Sequence, residues 1–459
     1  MEEFFQHKQI LLENDQKDFN FLSPTDIELQ ASQKFNWLKN DFLANFTIEE
    51  MLDYWDVKDS VIHTKLFEVL KKMPKGALLH IHSSTMMHSQ EFIDFLKSDS
   101  QIYVQLIDEK IILLPNFIEN SVPLSEFLKI DGNEKALLDS LEMTRGTSMG
   151  LPSERWIKFG QLFSTSAKLF SEKRFRENYF NLAYSQLYED NIQRVEIRTN
   201  FGRTGYIDNG RILTIDEAAE SFKTATDRFR SIHNDFSSGF IIACHKLLSR
   251  QKVIEAAEDA LRLHLLYPDF ILGFDIVGEE EQYNETEEIY ECVYQVKSKA
   301  KENGQDFPMF FHAGEVVSKH APTIYDAFVL ESKRIGHGIS LIKHPVLMQI
   351  AKTKKITIEC CPISNMLLGY VRDLRVHAGL AYLNQGLSVA IGSDAPGLFG
   401  YRGVTHDWLW ICILWGIDLM QVKRLVKNSI DGCTEPDETR RIWEPKWAEF
   451  VNYLANLEI

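Results

Sequence analysis

The chain has 459 residues, 44% of them hydrophobic and 25% charged, which is an ordinary globular composition with enough apolar material for a large core. Its formal net charge of −16 argues against a nucleic-acid-binding surface, and no apolar run is long enough to span a membrane. The six cysteines form no C-x-x-C pair, and the acidic first residues lack the basic and apolar parts of a signal peptide. We therefore expect a cytoplasmic protein with buried reduced thiols and with neither nucleic-acid nor membrane partners.

Residues 1–72 are polar, with Phe, Leu and Trp at helical spacings, and this pattern predicts a helical N-terminal extension. From residue 77 onward, short runs rich in β-branched and aromatic residues recur, each too short for a typical helix. We predict a buried strand in each of eight segments: 77–84, 194–200, 239–245, 270–278, 307–315, 334–340, 356–364 and 387–396.

Helical patterns lie between most of these strands. Residues 251–266 are rich in helix formers, and apolar residues recur at helical spacing in 285–304, where Gly304 should end the helix. Strands that alternate with helices imply a parallel sheet, and eight such strands predict an α/β fold of the (β/α)8 TIM-barrel type.

The predicted barrel covers residues 73–400. Its segment 85–193 is too long for one crossover, so we predict a mostly helical insertion after strand 1. Residues 401–459 should form a helical C-terminal tail that packs on the barrel. Some of the apolar surface in 30–70 and 404–455 could form a homo-oligomer interface.

Polar residues fall at the C-terminal ends of nearly all the predicted strands. Active sites of such barrels lie at that face, so residues that are distant in sequence are expected to meet there. The residues concerned are His80, His82, Arg198, His245, Asp275, His312, Glu315, His337 and Asp394.

His80 and His82 are one residue apart on a predicted strand, so both side chains should point to the same side. Two such imidazoles suit zinc, although one or both could be hydrogen-bonded core histidines. His312 offers a third imidazole and Asp394 a carboxylate, which would be costly to bury without a cation. Three histidines and one aspartate leave room for a water whose pKa zinc lowers, while iron or cobalt could occupy the same ligands.

Two further residues could move protons at this site. Glu315 follows His312 by three residues and is placed to act as a general acid, or else it is an acid at a helix N-terminus. His337 is placed to orient or deprotonate the water, or else it is an ordinary turn histidine. The glycines on both sides of His337 suggest that another group approaches closely.

The segments KGALLHIH, FDIVGEE, HAGE, RIGHG, CPISN and SDAPG occur in this order. As an ordered set they resemble the adenosine deaminase family of metal-dependent hydrolases, and most of all its growth-factor-related branch. The resemblance implies a barrel that holds one zinc ion per chain and hydrolyses the amino group from C6 of a purine. By this resemblance Glu315 would protonate ring N1, His337 would activate the water and the backbone of Gly278 would hold ring N3. The implied zinc ligands are His80, His82, His312 and Asp394.

Two positions depart from the family pattern. Where the H-x-H-x-D-G form of the family has an aspartate that binds the ribose 5′-hydroxyl, this chain has Ser84. A serine would not repel a 5′-phosphate as a carboxylate would, although Ser84 could simply fill space. Where the family usually reads S-D-D-P, this chain has Ala395, which cannot bind purine N7. Losing such a hydrogen bond typically costs about 1–3 kcal/mol.

A phosphate would need a cationic partner. Candidate residues for substrate binding after the second and third strands are Arg198, Arg203, His245 and Lys246, each of which could instead be a surface charge or a structural ion pair. Lys158 of the insertion is a further candidate, and the neighbouring Trp156 and Phe159 either cover a base or pack the insertion.

The sequence thus predicts a zinc-dependent deaminase of AMP or dAMP, ranked ahead of adenosine or deoxyadenosine. It could serve purine salvage or alter the nucleotide pool, as in phage defence. The alternatives are a related metal hydrolase that acts on another 6-substituted purine, and a non-catalytic nucleotide sensor.

Overall fold

The computed structural model describes residues 2–17, 23–200, 205–281, 289–317 and 322–458. Helices α2 and α3 of the N-terminal extension each begin with a capping box, in which a threonine and a glutamate three residues later exchange hydrogen bonds. The extension consists of α1 (Glu2–Lys17), α2 (Asp26–Asn45), α3 (Ile48–Met51), α4 (Tyr54–Val57) and α5 (Lys65–Lys72).

The segment after the first barrel strand is mostly helical, but it also contains a three-stranded antiparallel sheet that the sequence analysis did not predict. Strands β2 and β3 of this sheet are joined by Asp108 and Glu109, both with positive φ, and this turn lacks the glycine that usually marks such a hairpin. The elements are β1 (Ala77–His82), α6 (Ser89–Lys97), β2 (Tyr103–Ile107), β3 (Lys110–Leu114), β4 (Val122–Pro123), α7 (Leu124–Phe127), α8 (Asn133–Leu141), α9 (Pro152–Ser166) and α10 (Lys173–Glu189).

The chain then alternates between parallel strands and helices, with the β6–β7 hairpin as an exception. These elements are β5 (Arg194–Thr199), β6 (Tyr206–Asp208), β7 (Arg211–Leu213), α11 (Ile215–Ile232), β8 (Ser237–His245), α12 (Arg250–Leu266), β9 (Ile271–Val277), α13 (Ile289–Glu302), β10 (His312–Ala313), α14 (Pro322–Val329), β11 (Arg334–His337), α15 (Pro345–Lys354), β12 (Thr357–Cys360), α16 (Pro362–Leu367), α17 (Ala378–Asn384) and β13 (Val389–Ile391).

Eight of these strands form the predicted barrel. Two parallel four-stranded sheets have the orders β1-β5-β8-β9 and β10-β11-β12-β13. Single bridges between Ile81 and Asp394 and between Phe274 and Met309 join the two sheets at both edges. Each of the eight predicted segments therefore contains a barrel strand, and the (β/α)8 fold class is confirmed. The bounds differ most in 307–315, where the strand has two residues, and in 356–364, where a helix begins at Pro362. The C-terminal ends of the eight strands share one face of the barrel.

The C-terminal helices α18 (Thr405–Leu414), α19 (Leu419–Gly432) and α20 (Pro436–Ala455) pack between the barrel and the N-terminal extension. The indole N–H groups of Trp410, Trp443 and Trp447 donate to Met51, Pro74 and Glu28 respectively. The apolar residues proposed for a homo-oligomer interface are thus largely used within the chain. Oligomer formation stays a prediction.

The barrel interior contains a chain of buried ion pairs. On β5 the inward residues are Arg194, Glu196 and Arg198, while Val195 and Ile197 between them belong to the hydrophobic core. Arg334 of β11 lies 2.8 Å from Glu196 and also pairs with Glu359 of β12. Arg198 binds Glu359 at 2.6 Å and Asp275 of β9 at 3.0 Å. Strands that are distant in sequence are therefore linked through charge.

All six cysteines lie within the described residues, and each is a buried free thiol, as expected. Among the helices that the structure describes, none is both long and apolar enough to cross a membrane.

Lys75 is a buried cation that anchors the start of β1. Its Nζ donates to the carbonyl oxygens of Leu70, Met73 and Asp190 at 2.9, 3.2 and 2.6 Å, and lies 3.6 Å from the Asp190 carboxylate. We predict that Lys75→Met lowers the free energy of unfolding by about 3–5 kcal/mol in urea denaturation, because it leaves buried acceptors unpaired.

The matched control is Lys65→Met, since Lys65 pairs with Glu68 on an exposed helix surface. This variant should change the free energy of unfolding by about 1 kcal/mol or less. Equal effects of the two substitutions would show that the buried lysine has no special structural role.

Candidate active site

The C-terminal ends of three barrel strands bring the predicted metal ligands together. His80 and His82 lie on β1, His312 on β10 and Asp394 just after β13. One potential ligand atom from each of the four residues can be chosen so that all lie within 4.8 Å of one another. His82 Nε2 lies 3.1 Å from an Asp394 oxygen, and His80 Nε2 lies 3.7 Å from the same oxygen. Three imidazoles and one carboxylate at this spacing fit a divalent transition metal such as zinc.

Two histidine rings are held so that Nε2 points into the cluster. Nδ1 of His80 binds Glu359 at 2.8 Å, and Nδ1 of His312 binds Asp275 at 2.6 Å. His80 Nε2 is buried and has no hydrogen-bond partner among the described residues, which is costly unless another group binds it. Carboxylates behind histidines are typical of metal sites. The cluster therefore fits a metal on its own geometry.

Glu359 and Asp275 were missed as functional residues by the sequence analysis. Asp275 was noted only as a polar residue at a strand end, and Glu359 lies in the apolar segment ITIECC. The alternating polar residues of β5, RVEIRT, were a usable signal, because inward charges in a buried barrel strand require buried partners of opposite charge.

The carboxyl group of Glu315 is buried beside this cluster. Neither of its oxygens has a hydrogen-bond partner among the described residues, and Oε1 lies 3.6 Å from His337 Nε2. Burial, together with the negative charge of Asp394, raises the pKa of Glu315 well above its ordinary value. The Glu280 carboxylate accepts hydrogen bonds from the backbone N–H groups of Gly314 and Glu315 and so fixes this turn. Glu315 thus lies on a turn that is fixed by hydrogen bonds, and its raised pKa favours the protonated form.

His337 has a backbone φ of +62°, which is rare for a residue with a side chain. A Cβ at the preceding Gly336 would lie only 3.0 Å from the His80 ring, so the glycine permits the close approach that the sequence suggested. The His337 ring lies 4.7 Å from the His80 ring, and its Nδ1 lies 3.0 Å from the Asn365 amide nitrogen. Strained backbone of this kind is often found at functional sites.

A cavity of about 520 Å³ opens from this cluster toward helix α9 of the insertion. Its size suits a small organic ligand, and its wall combines aromatic side chains with a few polar groups. The residues at its metal end are His82, His312, Glu315, His337 and Asp394, and the other lining residues include Ser83, Ser84, Trp156, Phe159, Phe163, Thr199, Asn200, His245, Gly278 and Glu279.

Comparisons with known proteins agree with this site. The sequence model of the family described as adenosine deaminase matches residues 146–444. Adenosine deaminase 2 of Dictyostelium discoideum is 30% identical over 94% of this chain and 83% of its own length. The human protein of the same name is 26% identical over 91% of this chain and 88% of its own length.

The chain belongs to the adenosine deaminase family. It is therefore a hydrolase of the adenosine/AMP-deaminase type. Two solved structures share the fold: an adenine deaminase from Arthrobacter aurescens (TM-score 0.59, 18% identity, 82% of this chain and 99% of that one) and Arabidopsis ADAL in complex with IMP (TM-score 0.60, 14% identity, 83% of this chain and 99% of that one).

In this deaminase, four of the predicted substrate-binding residues line the cavity: Ser84, Arg198, His245 and Gly278. Gly278 has a φ of +112°, and a Cβ there would lie 2.6 Å from Nε2 of His245. A side chain at position 278 would therefore clash with His245 and block this part of the wall. Trp156 and Phe159 also line the cavity, so they are placed to contact a ligand as well as to pack the insertion.

The cationic residues proposed for phosphate binding do not offer a free charge to the cavity in the described part of the chain. All three guanidinium nitrogens of Arg198 donate to buried protein acceptors, so the structure does not support its direct contact with phosphate. Lys246 is buried behind the wall, where its Nζ donates to the carbonyl oxygen of Gly278 at 3.2 Å. Arg203 lies outside the described residues, and Lys158 reaches the carbonyl oxygen of Gly146.

Ala395 is fully buried beside Asp394 and is not among the cavity-lining residues. Position 395 therefore offers no side chain that could bind purine N7.

We predict that His82→Ala lowers the zinc content well below the value of about one ion per chain expected for the native protein, because it removes one of four ligands. The measurement is elemental analysis of protein that has been loaded with zinc and desalted. The control is His63→Ala, which changes an exposed histidine far from the barrel mouth. Equal zinc content in the native protein and in His82→Ala would exclude His82 as a ligand.

Proposed function

We propose that this protein is a zinc-dependent deaminase that hydrolyses the C6 amino group of an adenine nucleoside to give the inosine form and ammonia. The observation that carries the proposal is the buried Glu315 carboxyl group, for which no described residue is a hydrogen-bond partner. It lies beside three histidines and Asp394 at one end of a ligand-sized cavity. Hydrolysis at a ring carbon needs a nucleophile and a proton donor that both reach the bound substrate. The metal-binding cluster and Glu315 would supply them.

His80, His82, His312 and Asp394 would hold the zinc ion. When bound, zinc supplies a hydrolytic nucleophile at neutral pH, because it lowers the pKa of water. The carboxylates of Glu359 and Asp275 fix the rings of His80 and His312, so these ligands are positioned before the metal arrives.

Glu315 would donate its proton to ring N1 of the purine. Protonation of N1 makes C6 more electrophilic, so that water adds there and the C6–N bond can break with loss of ammonia. The raised pKa of Glu315 keeps its proton available at neutral pH. The Gly278 backbone faces the cavity, where it would hold ring N3, and His245 and Trp156 would cover the sugar or the base.

The described wall of the cavity favours a nucleoside over a nucleotide. Among the described lining residues, Arg198 is the only lysine or arginine, and its guanidinium is engaged in the barrel interior. Glu279 adds a carboxyl group to the wall, and burial raises its pKa to about 7. A phosphate dianion would find little positive charge on this surface. This reverses the order that the sequence analysis gave to the two substrate classes.

A nucleoside monophosphate is the second candidate. Ser84 lines the cavity at the position where a carboxylate would repel phosphate, and Arg203 follows Asn200 of the wall by three residues. Two Arabidopsis neighbours, an ADAL–IMP complex and an N6-mAMP deaminase, share the fold at 14% identity. The lack of the usual aspartate at position 395 also keeps another 6-substituted purine as an alternative substrate, so the assay below includes one.

We predict that Glu315→Gln lowers kcat by about 10²–10⁴-fold, because an amide cannot donate the proton that ring N1 needs. Zinc content and inhibitor binding should stay close to the native values, since Gln has nearly the same shape. The measurement is ammonia release from adenosine by zinc-loaded protein. The matched control is Glu281→Gln, an exposed residue on a neighbouring loop, which should retain native activity. Near-native turnover by Glu315→Gln would show that Glu315 is not the general acid.

We predict that Ser84→Asp shifts preference toward nucleosides by about tenfold or more, because a carboxylate binds the 5′-hydroxyl and repels a 5′-phosphate. The measurement is conversion of adenosine, deoxyadenosine, AMP, dAMP, ATP and N6-methyl-AMP, followed by chromatography. Ser84→Asn is the control, since it has the size of aspartate without its charge. An unchanged preference in Ser84→Asp would show that this position does not read the 5′ group.

A further inference from the structure

A chain of hydrogen bonds runs from the start of α17 to the ring of His337. The backbone N–H of Gly379 donates to Nδ1 of His377 at 3.0 Å. Nε2 of His377 lies 3.1 Å from Oδ1 of Asn365, and Nδ2 of Asn365 lies 3.0 Å from Nδ1 of His337. His337, Asn365 and His377 are all buried. These hydrogen bonds therefore connect the His337 ring in the active site to a backbone N–H that can only donate.

The direction of each hydrogen bond follows from the Gly379 N–H, which can only donate. Nδ1 of His377 must accept, so the neutral ring carries its proton on Nε2 and donates it to Asn365 Oδ1. If the Asn365 amide were turned around, both nitrogens of His377 would have to accept, which only an imidazolate anion could do. The Asn365 Nδ2 group must therefore donate to Nδ1 of His337.

The same reasoning fixes the state of His337. A proton on Nδ1 of His337 would face the N–H of Asn365, and two donors cannot share a hydrogen bond. The neutral His337 ring therefore carries its proton on Nε2. This nitrogen points to the reacting end of the cavity, where it lies 3.6 Å from Oε1 of Glu315 and where an oxygen of Asp394 is also close.

We propose that Asn365 and His377 are positioning residues that hold His337 as the Nε2–H tautomer, so that His337 donates a hydrogen bond to the attacking water and does not accept its proton. This inference rests on the proposed function and deepens it. Of the two roles that the sequence allowed for His337, orienting the water and deprotonating it, the hydrogen-bond chain selects the first.

The proton lost by the water must then go to a carboxylate. Once Glu315 has given its proton to ring N1, it is a carboxylate 3.6 Å from the His337 Nε2. It can take the proton of the water and pass it to the departing amino group, which leaves as ammonia. The proton left on the C6 hydroxyl returns to Glu315 as the C6=O bond forms, so the acid is restored and the protons balance without a change in the charge of His337.

The kinetic test compares Asn365→Asp with Asn365→Ala. Aspartate has the shape of asparagine and still accepts from His377, but it also accepts from His337 Nδ1 and so moves the His337 proton away from Nε2. We expect Asn365→Asp to have a kcat about tenfold or more below that of Asn365→Ala, with KM changed much less. A purely structural role predicts the opposite order, and that order would overturn the proposal.

The spectroscopic test does not depend on turnover. Long-range ¹⁵N correlation spectra of histidine-labelled, zinc-loaded protein distinguish the two tautomers, and comparison with His337→Gln identifies the His337 signals. We expect a protonated Nε2 in the native protein and a protonated Nδ1 in Asn365→Asp. A native His337 that carries its proton on Nδ1 would refute the inference, whatever the activity.

A control variant and the native assay distinguish a failure of the hydrogen-bond proposal from a failure of the proposed function. Asn428 is a buried asparagine on α19 whose amide donates to the carbonyl of Val389. Asn428→Asp makes the same change away from the cavity, and its folded fraction should keep a kcat within about threefold of the native value. Absence of native turnover on all six purines would refute the proposed function, while the tautomer spectrum would still test the hydrogen-bond chain.

Discussion

The site depends on the charges buried inside the barrel. Arg198 binds both Asp275 and Glu359, and these two carboxylates hold the rings of His312 and His80. Charges that are removed from water must be paired, so each member of this chain fixes the position of the next. The interactions that join distant strands are therefore the same ones that point the histidine nitrogens toward a metal. Loss of one member would disturb the barrel and the ligands together.

Two carboxyl groups at the same end of the cavity have pKa values that are shifted in opposite directions. Burial alone would raise the pKa of Asp394, but the neighbouring imidazoles of His80 and His82 lower it well below its ordinary value, and Ser364 donates a hydrogen bond to it. Neither carboxyl oxygen of Glu315 has a hydrogen-bond partner in the described part of the chain, and burial raises the pKa of this group. Neighbouring acids with separated pKa values are a common basis for acid and metal-binding roles in one site.

The inserted segment forms part of the cavity wall beside Glu315 and Asp394. Helix α9 places Trp156 and Phe159 over the cavity, and the indole N–H of Trp156 donates to the hydroxyl of Tyr370 at 2.6 Å. This contact ties the insertion to the barrel, so the wall over the ligand is held from both sides. Under the proposed function, this wall and Ser84 are the parts of the site that would separate nucleosides from nucleotides.

The sequence alone determined the order of the eight strands and the residue types at their C-terminal ends, because strand periodicity and the motifs around His80, His312, His337 and Asp394 are local features. Only the tertiary structure showed which partners these residues have. Arg198 looked like a phosphate ligand in sequence, but the barrel turns it inward to Asp275. Glu359 and His377 carried no local signal, and Asn365 was noted only as part of the CPISN motif, since the roles of these residues depend on contacts between elements that are distant along the chain. Side-chain pairing across a closed barrel follows from register and closure, and neither can be read from a single strand.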